Sequence, residues 1–213
     1  MNYQEAVNAV LRACSEAESA DIVAAVAGTT EAKFREFFNE AYRTVNTFKR
    51  WPWARATTAV TSLGGGVFQL APTVLETIAV TYNSVLLSEQ YSYEDLLYLR
   101  SGMQAPLVGQ PQFMASPTYG QIYLFPEPTD PLPETLISVL AYVAIPDPTV
   151  NADLLAGPAQ YHDAVVQKAY AIAQDKHFGD AAAAKAAHQR ADQLIQRVAT
   201  KSRIYKSRPR IRV

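Results

Sequence analysis

Arg50-Trp51-Pro52-Trp53-Ala54-Arg55-Ala56-Thr57-Thr58-Ala59-Val60-Thr61 decides the fold, because the chain changes texture inside this stretch. Upstream, Phe34, Phe37, Phe38, Ala41, Tyr42, Val45 and Phe48 recur at helical spacing, with Thr30 placed to cap. Pro52 stops that helix, since proline donates no backbone hydrogen bond and restricts the residue before it. Downstream, residues 56–61 are rich in β-branched side chains and read as strand.

Working back to the start, Asn2 and Glu5 form a helix-opening pair. Ala6, Val7, Val10, Leu11, Cys14 and Ala17 then share one face. Helix character is expected again over residues 20–26, broken by Gly28. Working forward, Gly64-Gly65-Gly66 makes a hairpin turn into a strand over 67–70, and 75–82 alternates as a third strand. Ser92, with Glu94 and Asp95, caps a short helix that Gly102 ends. Strands at 112–116 and 121–125 flank a turn, and 135–145 is a long apolar strand. Most of the 13 prolines fall in this middle block, which favours antiparallel strands with many turns over a parallel βαβ fold. Helix returns after Pro158, breaks at Gly179-Asp180, and continues alanine-rich over 181–199 with Leu194, Ile195 and Val198 as anchors. The expected fold is α+β. A helical bundle from residues 1–54 and 158–200 brackets an inserted antiparallel β-rich block, 55–157, and an extended basic C-terminal arm follows at 201–213.

Charge and cysteine usage narrow the function classes. The chain carries −1 overall, so as a whole it offers no footprint for nucleic acid. Lys201, Arg203, Lys206, Arg208, Arg210 and Arg212 stand in the last stretch without an acidic residue; the remainder is at −7. Charged residues make up 18% of the chain, a low share that hints at burial in an assembly. Cys14 is the single cysteine, which points to a reducing compartment. No secretory leader and no apolar run of membrane-spanning length is read, so a cytosolic site of synthesis is expected and a membrane partner is not.

His162, His177 and His188 lack metal-ligand spacing and read as exposed or capping side chains. Cys14 reads as a small buried hydrophobe, without the adjacent base a catalytic thiolate needs. The glycine triplet joins two strands, whereas a phosphate loop leads into a helix. Glu94 and Asp95 suit a helix start better than acid–base work, and no nucleophile elbow occurs. Neither an enzyme nor a cofactor is expected. Trp51, Pro52 and Trp53 read as the junction of helical and β parts; stacking of the tryptophans on bases or on a partner is the other reading. The basic stretch allows contact with nucleic acid, docking on an acidic protein groove, or a solvated tail. The interleaved Ile204, Tyr205, Pro209, Ile211 and Val213 favour docking, because a purely phosphate-binding arm needs no regular apolar anchors.

The order of these features resembles a known family. After Arg50-Trp51-Pro52-Trp53 come Phe68-Gln69-Leu70-Ala71-Pro72 and then Tyr119-Gly120-Gln121-Ile122-Tyr123-Leu124-Phe125-Pro126-Glu127-Pro128. Leu140-Ala141-Tyr142, a proline step and two final helices follow. From about Phe34 to Ala199 the chain is similar to the head-to-tail adaptor (tail tubular gatekeeper-like connector) proteins of tailed bacteriophages. The resemblance implies a virion structural protein at the head–tail junction. It implies a homo-oligomeric ring of about twelve copies beneath the portal protein, closed by head-to-tail contacts. A tail nozzle or other tail protein would bind below, and DNA would pass through the central channel without sequence specificity. The family habit of inserting a C-terminal segment into the portal assigns the portal-docking arm to Lys201, Arg203, Ile204, Tyr205, Lys206, Arg208, Pro209, Arg210, Ile211, Arg212 and Val213.

Overall fold

Asn2 begins the first helix by reciprocal capping. Its side chain accepts from Glu5 N at 2.8 Å, and its own N donates to the Glu5 carboxylate at 2.9 Å. Helix α1 (Tyr3–Ala13) then buries Tyr3, Ala6, Val7, Val10 and Leu11. It ends earlier than its apolar spacing suggests: Cys14 is the C-cap, Ser15 takes φ 61°, and Ala17 lies beyond the helix, exposed. The computed structural model describes residues 1–102, 107–130 and 132–204. Met1–Trp53 with the chain from Ile145 onward forms one compact unit, and Ala54–Ala144 forms the other.

In the helical unit, residues 20–26 are turns and bends, not the expected helix. The reason is Asp21, whose carboxylate accepts from Val23 N at 3.1 Å, Ala24 N at 3.0 Å and the Asn151 amide at 2.6 Å. Those side-chain bonds hold the backbone in a local turn, the habit that keeps Asp out of helix interiors. They also hold the Asp21 carboxyl below its usual range, the Ala24 N–H contributing most. Helix α2 (Thr30–Thr47) is capped by Thr29, one residue before the expected Thr30, and ends at Thr47, ahead of Pro52. There the Thr47 hydroxyl bonds back to Arg43 O at 3.0 Å. Pro52 opens a short 3-10 turn, Pro52–Ala54.

Helix α4 (Ala159–Ala173) is the centre of this unit and packs on α1, α2 and α5 (Ala181–Ile204). Its core contacts are aromatic toward α2, with Phe34, Phe38, Tyr42 and Tyr161 all buried. Toward α5 they are small: Ala184, Ala187 and Ala191, with Ile195 and Val198. Between α4 and α5, Gln174–Phe178 forms a π-turn and Gly179 takes φ 69°, the left-handed stop that the sequence places there. Residues 145–157, read from sequence with the β block, belong to the helical unit. Tyr3 N donates to Asp153 O at 2.9 Å and Gln4 N to Asn151 O at 3.2 Å.

The β unit is two four-stranded antiparallel sheets. The strands are β1 (Arg55–Thr58), β2 (Val60–Gly64), β3 (Val67–Leu70), β4 (Val74–Tyr82), β5 (Val85–Leu86), β6 (Phe113–Ala115), β7 (Gln121–Phe125) and β8 (Ile137–Val143). The sheet orders are β1-β8-β4-β5 and β2-β3-β7-β6. The single β-branched run expected at 56–61 is two strands: β1 pairs with β8 in one sheet, and after Ala59 the chain crosses to pair β2 with β3 in the other. Gly64, Gly65 and Gly66 turn that hairpin with φ of 86°, 60° and 77°. Val60, Phe68, Ile122 and Leu124 meet Val74, Val80 and Val139 in the core between the sheets. On the other side of β7, Tyr123 and Phe125 pack with Leu96 of α3 (Tyr93–Ser101). Four successive buried residues in β7 follow from this covering of both faces. The protein is therefore α+β, with N- and C-terminal helices flanking a sheet domain.

Candidate partner-docking surfaces

Trp51 is fully buried, and its Nε1 donates to Val45 O at 2.9 Å. It stacks on Trp53 at 4.8 Å between centroids and 15° between planes, and both rings meet the edge of Tyr161 at 5.4 and 5.0 Å. Lys49 Nζ lies 4.8 Å from the Trp51 ring centroid and donates to Ala199 O at 2.9 Å. Tyr161 donates to Asn46 Oδ1, and burial first, then the neighbouring Tyr42, pushes its phenol well above the ordinary range. The Trp51-Pro52-Trp53 run thus closes one end of the helical unit, and the chain enters the β unit at Ala54.

Gly157, which no local sequence signal marked, completes this cluster. It takes φ +92°, and a Cβ there would stand 2.9 Å from the Trp53 ring and 3.0 Å from the Tyr161 ring. Gly157→Ala should therefore destabilise the helical unit by about 1–3 kcal/mol, from backbone strain and a rigid clash together. Thermal unfolding followed by far-UV circular dichroism measures it; an unchanged midpoint would show that the rings can give way.

The remaining candidates sit as follows. His162 is buried, not exposed, and its Nε2 lies 3.1 Å from Leu155 O and 3.2 Å from Ala156 O. An Nε2–H donor there tethers the loop before α4, a role local sequence does not signal. His177 meets Phe34 edge-on at 5.5 Å and lies 4.0 Å from Glu16, while His188 is carried by α5. Among the described residues no three metal-ligating side chains cluster. Cys14 is half-buried, and burial first, then Glu16, pushes its thiol up to about 11. At neutral pH the thiol stays protonated and a poor nucleophile. Asp95 completes a capping box with Ser92, accepting from Ser92 N at 3.1 Å while Asp95 N donates to Ser92 Oγ at 3.1 Å.

The basic C-terminal stretch begins on α5. The helix runs through Ile204, so positions 201–204 are helical and not the extended arm expected from residue 201; Lys201 Nζ donates to Gln160 Oε1 at 3.1 Å and ties this turn to α4. Tyr205, Lys206, Arg208, Pro209, Arg210, Ile211, Arg212 and Val213 lie outside the described residues. The compensating acidity is concentrated in the β unit, where seven carboxylates face two cations for a net −5. Both cations are engaged: Arg55 lies over the Tyr142 ring and donates to its hydroxyl at 2.9 Å, and Arg100 pairs with Glu127 at 3.6 Å.

A helical unit whose last helix carries cations and a β unit of net −5 make this a two-unit α+β protein. The profile of one family, described as SU10 adaptor protein, matches residues 1–213. The chain belongs to this family of phage head-to-tail adaptors, which makes it a virion component at the head–tail junction working with other head and tail proteins. No curated protein matches the chain.

Proposed function

We propose that the chain is a non-enzymatic connector: a ring of about twelve copies beneath the portal protein, joined below to a tail nozzle or other tail protein. DNA crosses its central channel without sequence specificity. Copies assemble on the portal in the host cytoplasm. Residues 201–213 are the arm that engages the portal, and Trp51-Pro52-Trp53 is the junction that stiffens each copy. The observation that carries this reading is the division of charge. A net −5 on the β unit discourages passing DNA from adhering, while the cations collect on α5 and beyond it, where an acidic protein groove can take them. Electron microscopy of the purified protein with its portal tests it. Closed rings coaxial with the portal are expected, and isolated copies that never touch one another would count against it. The same cations support a second reading, nucleic-acid binding through the basic stretch, whose mark is DNA affinity falling steeply with salt.

A further inference from the structure

Two exposed faces of this chain carry opposite charge, one beside a cleft and the other beside a projecting aromatic ring. The first is on α5. Opposite the alanine-rich side buried on α4, the helix exposes Arg190, Gln193 and Arg197 along one stripe. Neither arginine has an ion-pair partner among the described residues, and the α5 carboxylate, Asp192, is held at 3.2 Å by Lys168. Beside Arg190, a cleft of about 290 Å³ opens between α4 and α5, floored by Ala183, Ala186 and Ala187 and bounded by Gln167 and Tyr170. The second face is on α3, in the β unit. Leu96 points into the core, so Glu94, Leu97 and Tyr98 fall on the outward side, and Tyr98 is 80% exposed. Glu94 has no cation paired to it among the described residues.

We infer that Tyr98 of one copy seats in the α4–α5 cleft of the next, with Glu94 of the same helix face paired to Arg190 or Arg197 of that neighbour. The inference rests on the ring reading and names its contact. Glu94 and Tyr98 are one helical turn apart, and Arg190 borders the cleft at its end toward the α5 C-terminus, with Arg197 about 10 Å further along, so the contact fixes the crossing: the Glu94 end of α3 points toward the C-terminal end of α5. The small floor admits a ring, Arg190 at its edge supplies a cation for the aromatic face, and Leu97 covers the rim. Because the two faces lie on different units, each copy keeps one of each free after pairing. Such a contact is heterologous and propagates until rotation closes it. A polyanion would use the arginines but leave the alanine cleft and the Tyr98–Leu97 knob without an occupant, which favours a second copy over DNA.

A cross-linking experiment on the full chain tests this. In a Cys14→Ser background, Ser101→Cys lies one turn beyond Tyr98 on the side away from Glu94, and Ala182→Cys lies on α5 at the end of the cleft away from Arg190. A short bis-maleimide should convert the double-cysteine protein, bound to its portal, into a ladder of covalent oligomers, while either single-cysteine protein stays monomeric. Tyr98→Ala and Arg190→Glu/Arg197→Glu should each lower the ladder yield at least about tenfold with helix content unchanged, and adding Glu94→Arg to the arginine pair should recover it. No ladder, a ladder undiminished in both variants, or cross-links to the portal alone would overturn the contact. Micrographs of the same samples separate this from the broader reading: closed rings without a ladder leave the ring standing and remove the contact, and free, non-touching copies remove both.

Discussion

Trp51→Ala should cost the helical unit about 3–5 kcal/mol, the range for truncating a fully buried large aromatic. The indole has no solvent exposure, so the whole ring is replaced by a cavity that the surrounding helices can only partly fill. Four specific contacts go with it: the stack on Trp53, the edge contact with Tyr161, the Lys49 ammonium over the ring and the hydrogen bond to Val45 O. That last bond holds the end of α2 to the turn that follows it, so its loss should fray the helix as well as open the core. Trp53→Ala should cost less. Trp53 is half-buried, and its Nε1 is buried without a hydrogen-bond partner among the described residues, so removing it also removes an unsatisfied donor. Trp53→Phe keeps an aromatic stack without that donor and should be nearly neutral. Denaturant unfolding followed by far-UV circular dichroism gives the order. A Trp51→Ala protein with the wild-type midpoint would mean that the stack contributes nothing to the bundle. Because the chain has two compact units, unfolding must be followed separately by helical signal and by near-UV signal before one free energy is assigned.

Local chemistry explains which parts of this architecture could be read from sequence. The capping pairs Asn2–Glu5 and Ser92–Asp95 lie within one turn of chain, so they mark their helices correctly. The bounds of β3 and β7 follow from glycine and proline turns on either side. The failures mix long-range contacts with unannounced local turns. Residues 20–26 have helical composition, but Asp21 bonds to Asn151, a residue 130 positions away. The switch of sheets at Ala59 has no turn residue to announce it, since one continuous β-branched run serves both β1 and β2. Strand β5 was missed because Asn83 and Ser84 make the positive-φ turn that glycine usually supplies. Of the surfaces, the aromatic run 51–53 and the basic stretch stand out in sequence. Gly157 and the outward faces of α3 and α5 emerge once the buried side of each helix is known.

Removing residues 205–213 should abolish stable portal binding while leaving the folded body intact. The cut falls just after α5, which runs to Ile204, so no described helix loses a turn. Thermal unfolding should be unchanged within a few tenths of a kcal/mol, since among the described residues none of the core lies beyond Ala199. Binding should fall at least about a hundredfold, or ~3 kcal/mol, because the deletion takes away Lys206, Arg208, Arg210 and Arg212 together with Tyr205, Ile211 and Val213. Two partial variants separate the contributions. Arg208→Ala/Arg210→Ala/Arg212→Ala should weaken binding most at low salt and lose its salt dependence, because the forks that pair with carboxylates are gone. Tyr205→Ala/Ile211→Ala should weaken it equally at all salt concentrations, because apolar pockets are not screened. Docking any chain segment costs about 1–2 kcal/mol per ordered backbone residue, so charge pairs on a rim are too weak to hold nine residues unaided. Both classes of contact must therefore contribute, and both partial variants should be defective. Surface plasmon resonance against immobilised portal measures all three proteins. Full affinity in the truncated protein would move the anchor off the arm and onto the folded surfaces of the adaptor.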